Sequence, residues 1–182
     1  MLKQRGFSLI ELLIVVAIIL IIAAMAIPNL LRARISANEA SAASSIRTIN
    51  TGEASFYTTY PAQGYSAGGG AASLTALGPG AVTGCPATGP VVTAACLIDW
   101  NLSQASTAVT AKTGYYFAIG STSAAVPYVQ YTVGGSAGGF NTSGVRGFCS
   151  SEDGVIHYNE DWNNAPETVK ATCSSAAWPQ LQ

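Results

Sequence analysis

From position 12 to position 27 every residue of this chain is apolar, and Pro28 follows. Ahead of the run stand Lys3, Arg5 and Gly6, then Phe7-Ser8-Leu9-Ile10 and a single acid, Glu11. As a helix, residues 7–27 would span about 31 Å, enough to cross the hydrocarbon core of a bilayer. A charge at membrane depth costs roughly 2.5–3.5 kcal/mol, so an acid at the mouth of such a run needs a use. Glu11 is therefore the residue to explain.

Two ordinary segments share part of this pattern. A secretory signal peptide has a basic start, an apolar centre of about 7–15 residues and a small-residue cleavage site, which Ala24-Met25-Ala26 would supply. The run here is longer, and Glu11 sits within it. A plain membrane anchor has the right length but no need for Glu11 or for Gly6-Phe7 at its entrance.

The string Arg5-Gly6-Phe7-Ser8-Leu9-Ile10-Glu11-Leu12-Leu13, with Pro28 downstream, resembles the class III signal of the type IV pilin superfamily. The resemblance covers residues 1 to about 35. It implies cleavage between Gly6 and Phe7 by a prepilin peptidase on the cytoplasmic side, and N-methylation of Phe7. Residues 1–6 would be the leader, 7–28 the transmembrane and filament-core half of a long helix, and 29–59 its amphipathic half. Lys3 and Arg5 would hold the leader inside, in line with the excess of basic residues on cytoplasmic flanks. Cutting there leaves an amine at Phe7, one helical turn from Glu11. In filaments of this family the glutamate is thought to neutralise the amine of a neighbouring subunit, and a paired charge is tolerable where a lone one is not. Phe7, Glu11 and Pro28 are thus the expected assembly residues.

Losing Lys3 and Arg5 leaves six basic side chains against nine acidic ones, about −3, and no basic patch for a polyanion. No nucleic acid is expected as a partner. Only 9% of the 182 residues are charged, well under the usual quarter, and 19 glycines point to many loops. The length suits one domain plus an anchor.

Beyond Pro28 the helix is expected to continue to about residue 59. Ile35, Ala42, Ile46, Ile49, Phe56 and Tyr60 recur at steps of three, four or seven, one face of an amphipathic helix, with Asn38, Ser44, Arg47 and Thr51 opposite. Pro28 cannot donate to the Ala24 carbonyl and should kink or open the helix locally. Gly52 weakens it again, and Pro61 ends it. Residues 60–182 read as a head. Residues 61–95, rich in Gly, Ala, Thr and Pro, read as a long surface loop. Residues 97–102 fit either a short helix or a strand. Strands are expected at 115–119, 128–133, 145–149 and 155–158, with 134–144 a flexible connection and the last two strands a hairpin. The fold class is α+β: a long N-terminal helix packed on an antiparallel sheet, with a cysteine-closed C-terminal region at 149–173, which is the pilin layout.

Four cysteines in an exported chain read as two disulfides. Of the three possible pairings we expect Cys85–Cys96 and Cys149–Cys173. The second would close a C-terminal loop like the one many pilins carry. Candidates for chemistry are few. His157, the only histidine, lies in an expected strand without a positioned nucleophile, so no enzyme is expected. Glu152, Asp153, Glu160 and Asp161 form an oxygen-rich cluster that calcium could use, although no EF-hand spacing is present and a solvated acidic turn is the plainer reading. Tyr65, Tyr115, Tyr116, Trp162 and Trp178 could give adhesive surface, with packing the default for each. Asn101-Leu-Ser and Asn141-Thr-Ser match a glycosylation pattern.

The resemblance implies a subunit that waits in the inner membrane, head in the periplasm, until an ATPase acting through an assembly platform adds it to a helical polymer of itself and other pilins. The product would be an extracellular pilus-like filament or, alternatively, the periplasmic pseudopilus of a type II secretion system. A membrane-anchored binding protein that never polymerises is the reading of another class.

Overall fold

The computed structural model describes residues 7–66, 71–121 and 125–181. Its first element, α1, runs Leu9–Thr59, 51 residues, about 77 Å at the α-helical rise. The helix is unbroken through Pro28, so the expected local opening is not seen there. Pro61 ends it, because it has no N–H to extend the ladder and disfavours helical geometry at Tyr60. The last turn is closed by Tyr60 N–H to Phe56 O (2.8 Å) and Gly64 N–H to Tyr60 O (3.0 Å).

The chain divides into two compact units, one ending at Arg34 and the other beginning at Ile35. In the first unit, α1 has no buried residue. In the second, α1 buries Ala42, Ile46, Ile49 and Phe56 of the expected stripe, while Ile35 and Tyr60 at its ends are half-buried. Asn38 departs from the expected polar face: it is half-buried and donates to the Ser143 carbonyl (2.8 Å). Gly52 is not merely a weak point. It is buried, and a Cβ there would press Ile98 Cγ2 at 3.3 Å.

The sheet is an antiparallel meander in the order β1 (Tyr115–Gly120), β2 (Thr132–Ala137), β3 (Gly147–Ser151), β4 (Ile156–Asn159). In β1 burial alternates along the strand, as a half-covered strand requires. Every residue of β3 and all but the last of β2 are buried, so the sheet is covered on both faces there. Adjacent residues point to opposite faces, and two glycines show what lies on each side. A side chain at Gly135 would meet the Phe117 ring and Ile46 of α1; one at Gly134 would overlap the backbone of Glu167. The sheet is therefore held between α1 and the C-terminal segment.

Two expectations are corrected. The second strand was expected at 128–133 with a flexible 134–144, but β2 begins four residues later and contains both glycines. They pair with both neighbouring strands, and they are glycine because the atoms on each face leave no room for a side chain. The expected surface loop 61–95 contains a helix, α2 (Ala71–Leu77), whose Leu74 and Leu77 are fully buried. Backbone bonds from Leu97 and Ile98 to the Leu77 carbonyl (2.7 and 3.2 Å) fasten it. The ambiguous stretch after it resolves as α3 (Trp100–Gln104), begun by Asp99, whose carboxylate accepts from Leu102 N–H at 3.1 Å. A last short helix, α4 (Lys170–Cys173), precedes the end of the chain. Cys85 is bonded to Cys96, and Cys149 to Cys173.

Candidate assembly site and the acidic residues of the head

Residues 1–6, with Lys3, Arg5 and Gly6, lie outside the described residues. The described chain opens at Phe7, which is 84% exposed. Ser8 precedes the first helical turn, and its N–H donates to Glu11 Oε2 at 2.9 Å. Leu12 N–H donates to the Ser8 carbonyl at 3.3 Å. This is the returning half of a capping box, in which an acid at the third helical position satisfies an orphan N–H at the helix start. Glu11 thus has a bond within its own helix, and the S-x-x-E spacing was the signal for it. From residue 7 to residue 31 every large apolar side chain stays between 47% and 84% exposed. The helix is long and apolar enough to cross a membrane.

In the head three of the four candidate calcium ligands are engaged separately. Glu152 pairs with Lys170. Asp153 accepts from Val155 N–H (2.9 Å) and Ser151 Oγ (3.2 Å) within its turn. Glu160 lies 3.7 Å from Arg146, and Asp161 is exposed in a left-handed turn with φ of 59°. Among the described residues no group of three His, Cys, Asp or Glu side chains comes together to hold a metal.

Arg146 also reaches Glu39 of α1 (3.9 Å), and the same carboxylate accepts from the backbone N–H groups of Val145 (3.1 Å) and Arg146 (3.2 Å). Glu39 therefore docks the entry to β3 on the helix. His157 is buried in β4 with Nδ1 2.7 Å from the Trp178 carbonyl. A carbonyl only accepts, so Nδ1 carries the proton. That is a packing role. Tyr115 and Trp178 are buried, Trp162 stacks edge-on to Trp178 at 4.7 Å, and Tyr65 and Tyr116 are half-buried. Asn101 and Asn141 are exposed.

The residue that sequence reasoning missed is Glu53. It is fully buried, between Ile49 and Phe56 on the core stripe. Ser66 holds it twice, through its N–H to Oε2 (2.8 Å) and through its hydroxyl at Oε1. Burial pushes the Glu53 carboxyl up from 4.5 to about 7, against the two Ser66 hydrogen bonds, which pull it down. Its place at i+4 from Ile49 and i−3 from Phe56 was the available signal.

Residues 1–27 match the prokaryotic N-terminal methylation motif. Two curated proteins align with this chain. It is 44% identical over 55 residues to the type IV major pilin protein PilA of Myxococcus xanthus, which is 30% of this chain and 25% of that protein. It is 65% identical over 37 residues to the type IV wide pilus major component PilA4 of Thermus thermophilus, 20% of this chain and 28% of that protein. The chain thus spans about a quarter of the length of the curated relatives it matches. No solved structure gives a significant match.

Proposed function

We propose that this chain is the structural subunit of a type IV pilus-like filament. The observation that carries the reading is a methylation motif on residues 1–27 that leads into a helix whose large apolar side chains from residue 7 to residue 31 stay exposed among the described residues. Such a surface needs lipid before assembly and other copies of the same helix afterwards. In this reading residues 1–6 are a leader removed by prepilin peptidase between Gly6 and Phe7, and Phe7 is methylated. The precursor spans the inner membrane with its head in the periplasm, and an ATPase acting through the assembly platform drives extraction. Within lipid, apolar burial gives helices little reason to associate, so packing and polar pairing hold the bundle. Glu11 supplies the polar partner, exchanging the Ser8 N–H for the Phe7 amine of a neighbouring copy.

A type II secretion pseudopilin shares this N-terminal chemistry. The two relatives are major components of pili, which supports the surface filament. The acids that calcium could use do not gather: Glu152 pairs with Lys170, Asp153 is bonded within its own turn and Glu160 faces Arg146.

Mass spectrometry of the mature protein should find a methylated Phe7 as the first residue. A chain beginning at Ile27, or one retaining Met1, would sink the reading. Glu11→Gln separates the two uses of the residue, since glutamine also completes a capping box but carries no charge. We expect Glu11→Gln to insert normally and to give no filaments on sheared cell surfaces in electron micrographs. Normal filaments from that variant would remove the role of the charge.

A further inference from the structure

We infer that Glu53 is kept as a neutral carboxylic acid that fastens Ser66 and α2 onto α1, and that loss of its proton undoes the fastening. The argument is a count of protons. Ser66 Oγ lies against two acceptors, Glu53 Oε1 and the Ser73 carbonyl (3.2 Å), and a hydroxyl has one proton to give. If Glu53 is ionised, one of these contacts brings two acceptors together with nothing between them. If Glu53 is protonated, the chain closes. Glu53 O–H donates to Ser66 Oγ, Ser66 O–H donates to the Ser73 carbonyl, and Ser66 N–H donates to the remaining Glu53 oxygen at 2.8 Å. Every polar atom of the fully buried carboxyl then has a partner.

The surroundings favour the same state. The ionisable groups that feel Glu53 are Tyr65, on the segment after α1, and Tyr131, just before β2. Both are themselves raised, first by burial and then by neighbours that include Glu53. Behind them stand Glu152 of the β3–β4 turn, acting on both tyrosines, and Asp153, acting on Tyr131. The α2 sequence contains no ionisable residue. Among the described residues no Lys, Arg or His pairs with Glu53, so nothing compensates an ionised carboxylate there. The three joined pieces are α1 through Glu53, the reversal after it through Ser66, and α2 through the Ser73 carbonyl.

The sign of the pH dependence follows. The folded chain holds this proton up to about pH 7, whereas the unfolded chain releases it near 4.5. The stability it contributes is complete below the lower value and is lost as pH rises through the upper one. The test uses the full chain in detergent micelles and compares the wild type with Glu53→Gln, whose amide reproduces the neutral acid's donor and acceptor. Between about pH 5 and pH 8 the wild-type Tm should fall by several degrees. The variant should stay flatter. Parallel curves would overturn the inference. Should the variant fail to fold, infrared spectra of the Glu11→Gln chain decide instead, with the membrane-side carboxyl removed. A carboxylic-acid carbonyl band present at about pH 6 and fading toward pH 9 supports a buried neutral Glu53; no such band at pH 6 refutes it.

Discussion

Gly134 and Gly135 are neighbours on β2 with different neighbours of their own, and the difference decides how much each can change. A Cβ on Gly134 would overlap the N, C and O atoms of Glu167, with the carbon at 2.8 Å, and backbone cannot swing aside. A Cβ on Gly135 would lie 2.9 Å from the Phe117 ring edge, and a ring can tilt. We expect Gly134→Ala to lose about 3 kcal/mol of stability in urea unfolding, as overpacking against rigid atoms does, and Gly135→Ala to lose less. Equal losses would mean that the C-terminal segment yields as easily as the ring. The same scale shows what the sequence could reveal. Glu11 and Glu53 were legible in principle, one through Ser8 three residues before it and the other through its step from Ile49. The glycines were not, because what crowds Gly134 is Glu167, more than thirty positions away in the chain, and what crowds Gly135 is the Phe117 ring on the neighbouring strand.

Elements were legible where periodicity was long and obscure where it was short. The helix α1 shows its stripe over several turns, so its buried residues and its end at Pro61 could be read directly. In α2 the apolar signal for the buried side is just Leu74 and Leu77 among the described side chains, within a stretch whose Gly and Pro content reads as loop. Strand β2 was placed too early because glycine is a poor strand former, and its sheet place comes from packing on both faces. The C-terminal segment shows what such tertiary demands achieve. It bonds along β4, with Tyr158 N–H to the Pro179 carbonyl (2.9 Å) and Leu181 N–H to the Ile156 carbonyl (2.7 Å), and so covers an edge that would otherwise invite pairing. Cys149–Cys173 ties that segment to β3 across a sequence separation of 24. Replacing both cysteines by serine should lower stability by about 3 kcal/mol, with urea unfolding as the measure. Limited proteolysis should then cut the C-terminal segment first. Cleavage beginning instead between Cys85 and Cys96 would show that the edge bonds alone hold the segment.

At the scale of the molecule, the stability of the head and the use of the long helix reside in different residues. Every buried residue of α1 lies between Ala42 and Phe56, whereas the large apolar side chains of residues 7–31 are exposed. The division of the chain after Arg34 falls between these two stretches. The unit from Ile35 keeps Glu39 with its bonds to β3, Glu53 with Ser66, both disulfides and the whole sheet. A chain beginning at Ile35 should therefore fold without detergent, melt in one cooperative transition and show the fall of Tm between about pH 5 and pH 8 expected of the full chain. On the proposed function it should not form filaments, because Phe7, Glu11 and the exposed apolar helix are gone. Retained far-ultraviolet dichroism without a near-ultraviolet signal would mean the head packs loosely on its own.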